Sequence, residues 1–412
     1  MTVVFERPYE FVPPIRSTLW PWVIQRLRLF DRYLRKSEGI VDYELRGSDH
    51  LQQSLDAGHG ILLAPNHCRY ADPLVMGWPA RQLGIHVHAM ASWHLFNEGW
   101  LDAFAIRRMG GFSIFREGND RQSLETAIEI LVDAKRPLII FPEGTTNRTN
   151  DQLKPLLDGV AFIARTAAKR RAKRLSDEST ADSAGSGKVV VHPVAIKYLC
   201  IEKIDQWATR QLDQFEQRLG WRLMPKRGIR ERTVRIAEAL LALKEVQHYG
   251  YSSGGDLPTR RDALIEHVLS STENEMRIEK PSVDVRERVR QIRSTVSSRY
   301  FETHPDPQTA RQLRRHVMDA DLAQDLASYP DSYLLPDQVT DTRIVETIQR
   351  MQETVIGKAD HTIPLKSVIE FAPAIEVETK RPPRGKRDPL MQSLEDQLSE
   401  MVTKLSGEAR KL

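Results

Sequence analysis

The feature that most limits how this chain can fold is an alternation between about residues 40 and 205. Short apolar runs at Ile61–Ala64, His86–Ala89, Leu138–Phe141 and Val189–Ile196 are separated by segments of helical spacing at 73–83, 95–109, 120–135 and 156–172. Strands separated by helices cross over and run parallel to one another rather than closing as hairpins. The expectation is an α/β domain: a largely parallel sheet flanked by helices. Such sheets present reactive side chains in the turns at the carboxyl ends of their strands.

The first such turn is Ala64-Pro65-Asn66-His67-Cys68-Arg69-Tyr70-Ala71-Asp72-Pro73. A histidine takes a proton near neutral pH. A carboxylate on its other ring nitrogen would fix the tautomer and stabilise the imidazolium. The same residues also make an ordinary turn and helix start, with Asp72 as cap and Pro73 in the first turn. A second stretch, Gly110-Gly111-Phe112-Ser113-Ile114-Phe115-Arg116, ends in an arginine able to grip a phosphate through two parallel hydrogen bonds. Its plainer reading is a surface arginine at a strand end. A third, Phe141-Pro142-Glu143-Gly144-Thr145-Thr146-Asn147-Arg148, follows an apolar strand with a dense polar cluster. That cluster can bind hydroxyls or phosphate, or satisfy its own turn. The run Val189–Ile196 contains Pro193, which belongs at an edge or a bulge; His192 beside it is given no role.

With 412 residues there is room for two or more domains. The chain is 40% hydrophobic and 28% charged, the balance of a mostly globular protein. A net charge of +4 and a pI of about 8.9 suit an anionic partner, either a membrane surface or a phosphorylated substrate. Cys68 and Cys200 lack metal-type spacing, which argues for a reducing compartment and against a disulfide framework. Cys68 next to His67 is not read as a nucleophile, because adjacent side chains point apart. No metal set and no nucleic-acid partner is indicated. The start MTVVFERPYEFVPP lacks the features of a secretory signal. No stretch reaches the roughly 20 apolar residues of a membrane-spanning helix.

Residues 1–39 are expected to be an amphipathic segment. Thr18 would cap a helix with apolar positions Trp20, Val23, Ile24, Leu27, Phe30 and Leu34 and a basic remainder. That pattern fits a membrane-surface helix and equally one packed on the domain. Within 165–188 a basic cluster precedes SDESTADSAGSG, read as a flexible insertion. Residues 206–360 read as a mostly helical C-terminal region, with helices near 206–219, 231–248, 259–278, 283–300, 307–327 and 340–356. In 283–300 the stripe Val285, Val289, Ile292 and Val296 is expected to pack on the first domain. Residues 361–412 read as a strand-like segment at Ile363–Val377, a basic linker at Lys380–Arg387 and a terminal amphipathic helix.

Taken together, four stretches resemble the glycerolipid acyltransferase family, which includes lysophosphatidic acid and glycerol-3-phosphate acyltransferases. Asn66, His67 and Asp72 match its Asn-His-x4-Asp motif. Gly110 or Gly111, Phe112 and Arg116 match the second motif, Phe141 to Thr145 the Phe-Pro-Glu-Gly-Thr motif, and Val191, Pro193 and Val194 the fourth. Order and spacing agree across roughly 40–205. Many members carry arginine directly after Phe-Pro-Glu-Gly-Thr; here that position is Thr146 and the next arginine is Arg148, which leaves Arg116 as the main candidate for a phosphate.

The resemblance implies an O-acyltransferase that moves a fatty acyl group from acyl-CoA or acyl-carrier protein to lysophosphatidic acid or glycerol 3-phosphate. His67 would be the general base and Asp72 its orienting partner, with Asn66, Arg116, Glu143, Gly144, Thr145 and Arg148 holding substrate. No cofactor beyond the acyl donor is implied. The protein is expected to be cytoplasmic and peripheral on the inner face of the membrane. A thioester or ester hydrolase, and a catalytically silent lipid-binding adaptor, are the alternatives.

Overall fold

A computed structural model describes residues 7–118, 120–177, 187–279, 281–380, 383 and 387–412. One sheet organises them, with strands β1 (Ile40–Arg46), β2 (Gly60–Pro65), β3 (His88–Ser92), β4 (Gly111–Ile114), β5 (Leu138–Ile139), β6 (Val189–Cys200), β7 (Leu365–Phe371) and β8 (Ile375–Glu376). Their order is β1-β7-β6-β2-β5-β3-β4, with β8 also paired to β6. Strands β6, β2, β5, β3 and β4 are mutually parallel. β7 runs antiparallel to β6, and β1 runs parallel to β7. The sheet is therefore mostly parallel and mixed at one side, within the expected α/β class.

Alternation along β2 builds the two layers. Ile61 and Leu63 point into one core, with Val190, Val194 and Ile196 from β6 and Ile344 and Ile348 from the helix Asp341–Ile356. Leu62 and Ala64 point into the other, with Ile128, Ala164, Leu394 and Leu398 from helices on the opposite face. Successive side chains of a strand lie on opposite faces, and β2 is buried on both. That is why it reads in sequence as a continuous apolar run.

Four expectations change or narrow in the folded chain. The N-terminal segment is two helices, Leu19–Arg26 and Leu29–Ser37, and Thr18 makes no side-chain cap. The break is Arg28, which adopts a left-handed φ of 51°. Pro193 lies in β6, between β2 and β7, so of the two expected places it takes not the edge but the irregular one, where the register shifts by one residue as β6 passes from β8 to β7. Its missing N–H faces the joint between β7 and β8, where its carbonyl accepts the Ala372 N–H at 3.0 Å. The stripe Val289, Ile292 and Val296 does not pack on the sheet domain. It forms a separate core with Ile265, Leu313 and Val317 of the helices Leu257–Glu275 and Pro307–Leu326. Residues 361–412 are more than a linker and tail: they supply β7 and β8, and the helix Pro389–Ser406 buries Leu394 and Leu398 under the sheet. The insertion at 178–186 and most of the basic run 380–387 lie outside the described residues.

Candidate active site

β2 ends at Pro65, and the chain turns through Asn66–Ala71 into the short helix Asp72–Val75. Asn66 is fully buried and bridges to β6: its Nδ2 donates to Ile196 O at 3.1 Å and its Oδ1 accepts from Ile196 N at 2.7 Å. It staples the turn to the neighbouring strand. Asp72 heads its helix and folds back on the turn, accepting the Arg69 N–H through Oδ2 at 2.9 Å.

The same Oδ2 lies 2.9 Å from His67 Nδ1. A carboxylate there places the proton on Nδ1 and leaves a lone pair on Nε2. The other oxygen, Oδ1, accepts the Tyr198 hydroxyl at 2.6 Å. The imidazole stacks on Phe141, with ring centroids 4.1 Å apart. His67 keeps 10% of its side chain exposed and Asp72 none. The imidazole thus reaches the surface by one edge, while its carboxylate partner is sealed beneath it.

Nε2 faces the third motif. The Thr146 hydroxyl donates to it at 3.0 Å. Glu143 is fully buried and holds the two turns together. Its Oε1 accepts the His67 N–H at 2.7 Å, and its Oε2 accepts from Asn147 Nδ2 at 2.7 Å and the Lys154 N–H at 2.9 Å. Burial raises its pKa to about 7 against the opposing pull of these bonds. Gly144 allows the tight bend: its φ is +73°, and a Cβ there would lie 2.2 Å from a Leu157 methyl. Thr145 is half-buried.

The arginines part company. Arg116, in the loop after β4, is half-buried and makes no hydrogen bond or ion pair among the described residues. Burial, joined by the nearby Arg293 guanidinium, pushes its pKa down. Arg148 points away from the base, into ion pairs with Asp325 at 3.0 Å and with Glu353. Burial pushes the Cys68 thiol pKa well up, so it stays protonated and is a poor nucleophile. His192 is tied to Ala372 O at 3.0 Å and Ser54 Oγ at 2.9 Å inside the fold.

Tyr198 did not emerge from the sequence, whereas Thr146 and Asn147 lay in the third polar stretch without an assigned catalytic or binding role, and Asn147 does satisfy that turn, its Oδ1 accepting the Thr149 N–H at 2.7 Å. Thr146 carries a faint signal, as the second hydroxyl of the motif turn; Tyr198 carries none, lying 126 residues from the carboxylate it touches. Among the described residues no cluster of His, Cys, Asp and Glu is arranged to hold a metal ion. An imidazole whose Nε2 accepts only from a hydroxyl, a buried carboxylate behind it and, at the same end of the sheet, an arginine without a hydrogen-bonded partner among the described residues make an arrangement that could deprotonate a hydroxyl and hold an anion.

Comparisons with known proteins point to an acyltransferase. Residues 43–197 match the family model described as Acyltransferase. The 1-acyl-sn-glycerol-3-phosphate acyltransferases of Limnanthes douglasii and Limnanthes alba are 23% and 24% identical over 210 and 211 residues. Each match covers 49% of this chain and 71% of the relative. The enzyme of that name from Streptococcus pneumoniae is 30% identical over 151 residues, 35% of this chain and 52% of the relative.

Proposed function

We propose, from the premise that residues 43–197 are a glycerolipid acyltransferase domain, that the chain transfers a fatty acyl group from a thioester to a glycerol-type phospholipid precursor. Lysophosphatidic acid and glycerol 3-phosphate are the leading acceptors, and acyl-CoA or acyl-carrier protein is the donor. The acceptor hydroxyl approaches His67 Nε2 and displaces the Thr146 hydroxyl from it. As its oxygen attacks the thioester carbonyl, its proton passes to Nε2. The tetrahedral intermediate then collapses, the C–S bond breaks, and the imidazolium returns the proton to the departing thiolate. Asp72, itself held by the Tyr198 hydroxyl, orients the imidazole and stabilises its charge without bonding to substrate. Arg116 binds the phosphate of the acceptor.

The observation that carries this reading is the 2.9 Å contact between His67 Nδ1 and a fully buried Asp72, with Nε2 left to face a hydroxyl. Its test is a screen of the purified chain against both donors and a panel of glycerol and lysolipid acceptors, with mass detection of products. His67→Ala is expected to abolish every product; a variant as active as the wild type would overturn the assignment.

One observation favours a second reading. Thr146, His67 and Asp72 make an unbroken hydroxyl–imidazole–carboxylate chain, the arrangement of an activated nucleophile. In that case Thr146 Oγ takes the acyl group and water releases it, giving a hydrolase. Thr146→Val separates the two: transfer persists if the hydroxyl only holds the place of the acceptor and disappears if it attacks.

The protein works at the surface of the membrane, on the inner face, in this proposal. No described helix is long and apolar enough to cross a membrane. Support comes from an apolar patch that the fold leaves uncovered. Leu19 and Trp22 project from the first helix and Leu27 from its join to the second, and Trp100 and Leu101 project from the helix Trp100–Arg108, which buries none of its residues. Trp20 meets Phe104 edge-on at 5.2 Å and Arg108 lies over both rings, so the helices form one face. Aromatic and aliphatic side chains beside arginines suit an anionic lipid surface. Co-sedimentation with phosphatidylglycerol vesicles is expected to fall several-fold in Trp22→Ser/Trp100→Ser; unchanged binding would remove this placement.

A further inference from the structure

The helix Asp341–Ile356 lies outside the segment matched by the family model. Four residues along one of its faces nevertheless reach the chain just beyond Thr146. Positions 343, 346, 350 and 353 follow the spacing that aligns side chains on a helix. Arg343 Nε donates to Asp151 Oδ2 at 2.6 Å. Glu346 Oε2 accepts the Asn150 N–H at 3.3 Å, which also reaches the Tyr333 hydroxyl at 3.1 Å. Arg350 donates to the Arg148 carbonyl oxygen at 3.2 Å, and Glu353 pairs with the Arg148 guanidinium. The loop is tied to the sheet as well. The Asn150 side chain bonds the N–H of Tyr198 at 2.9 Å and its carbonyl at 2.6 Å, repeating along β6 what Asn66 does at Ile196.

Two of these residues hold arrangements that are unfavourable by themselves. Arg148 has left-handed backbone, with φ 60°, which a residue other than glycine keeps only where its surroundings over-determine it. Arg350 is 4% exposed, makes no ion pair among the described residues and leaves its Nε without a hydrogen-bonded partner. Its other nitrogens reach Arg148 O and Ser328 Oγ, and the guanidinium lies 3.7 Å over the centre of the Tyr329 ring. A buried charge without a carboxylate stabilises a core less than an apolar side chain of its size. What this one does is fix a carbonyl two residues after the hydroxyl that sits on His67 Nε2.

We infer that Arg350 is a positioning residue for acyl transfer: with its helix it sets the height of the loop Thr146–Asp151 over the imidazole, and so the seat from which the acceptor hydroxyl attacks. The inference rests on the acyl-transfer reading of His67. Arg350 acts through the Arg148 carbonyl rather than on the substrate.

The test uses the full chain with acyl-CoA and lysophosphatidic acid, following acylated product and free fatty acid together. A displaced seat lets water take the place of the acceptor, attack the thioester and release the acid and the thiol. Arg350→Met keeps most of the stem and removes the donors. It is expected to lower kcat for transfer about 10–100-fold, the scale of an ångström of misplacement, with both KM values within about 3-fold of the wild type. The ratio of free acid to acylated product should rise about 10-fold or more, a change that loss of folded enzyme alone does not produce. Arg350→Lys keeps a cation and one donor and should restore most of the transfer. Glu353→Gln, at a partly exposed position, loosens Arg148 without disturbing the core and should raise the same ratio about 2–5-fold. An unchanged ratio in Arg350→Met overturns the inference, as does Arg350→Lys behaving no better than Arg350→Met. If circular dichroism shows Arg350→Met unfolded, the ratio in Glu353→Gln decides in its place. Failure of the underlying reading looks different, as His67→Ala would then retain transfer.

Discussion

Asp72 spends both carboxylate oxygens inside the protein, on His67 and the Arg69 N–H through Oδ2 and on Tyr198 through Oδ1. Asp72→Asn would put an amide where three donors converge, lose the charge that stabilises the imidazolium and favour the wrong tautomer. The expected loss in kcat/KM is about 10²–10⁴-fold, the scale of positioned base catalysis, with the melting transition still cooperative. Tyr198→Phe removes a single donor from the same charge, and a loss of about 10-fold is expected. Glu143 makes a pH prediction. Its pKa in the folded chain is raised from 4.5 to about 7, so the folded state holds the proton more tightly than the unfolded one. Its contribution is fully present below about pH 4.5 and is lost as pH rises towards 7. Denaturant unfolding from pH 5 to 7.5 should show a fall on the order of 1–3 kcal/mol from this group. Glu143→Gln should flatten that slope, although its amide meets N–H donors and lowers stability at every pH. At this scale the sequence disclosed His67 and Asp72 because they lie only five positions apart in one turn. Thr146 and Tyr198 come to the base only when β2, β5 and β6 lie side by side, a relation that no local spacing records.

Elements were legible wherever one period ran uninterrupted. The helices Asp205–Arg218, Ile229–Tyr249 and Asp341–Ile356 lie within a residue or two of their apolar spacing. Local rules fell short where tertiary contacts decided the outcome. Pro193 is tolerated inside the sheet because its nitrogen meets the gap between β7 and β8, a gap made by residues almost two hundred positions later. The N-terminal apolar spacing runs through Arg28 without a break, but the chain bends there to lay both helices on the domain. The bend forces a non-glycine residue into left-handed backbone at φ 51°. Glycine takes that conformation without a steric cost. Arg28→Gly is therefore expected to raise unfolding free energy by about 0.5–1 kcal/mol, read by denaturant titration.

At the scale of the whole molecule the chain closes on itself. The segment matched by the acyltransferase family model ends at residue 197, and a reading of that segment alone makes everything after it an addition. In the fold, β7 joins β1 to β6: Ile40–Arg46 pairs on one side of it and Val194–Cys200 on the other. Without β7, β1 loses its only sheet partner among the described strands and β6 exposes the edge it shares with β7 and β8. The helix Pro389–Ser406 adds Met391, Leu394 and Leu398 to one core and closes a second with Met401 and Leu405 against Ala195 and Val368. The C-terminal segment is thus part of the layer that positions His67, since β6 also carries the Asn66 staple and Tyr198. A chain ending at residue 360 is expected to be insoluble or to lack a cooperative melting transition. A chain lacking only residues 257–326, bridged by a short flexible linker, should keep the sheet, because those helices build their main core among themselves and their second one against Leu241 of the helix Ile229–Tyr249 rather than against a strand. Circular dichroism with thermal melting of the two deletions decides the matter: a folded 1–360 chain would mean that β7 and the last helix decorate the sheet rather than complete it.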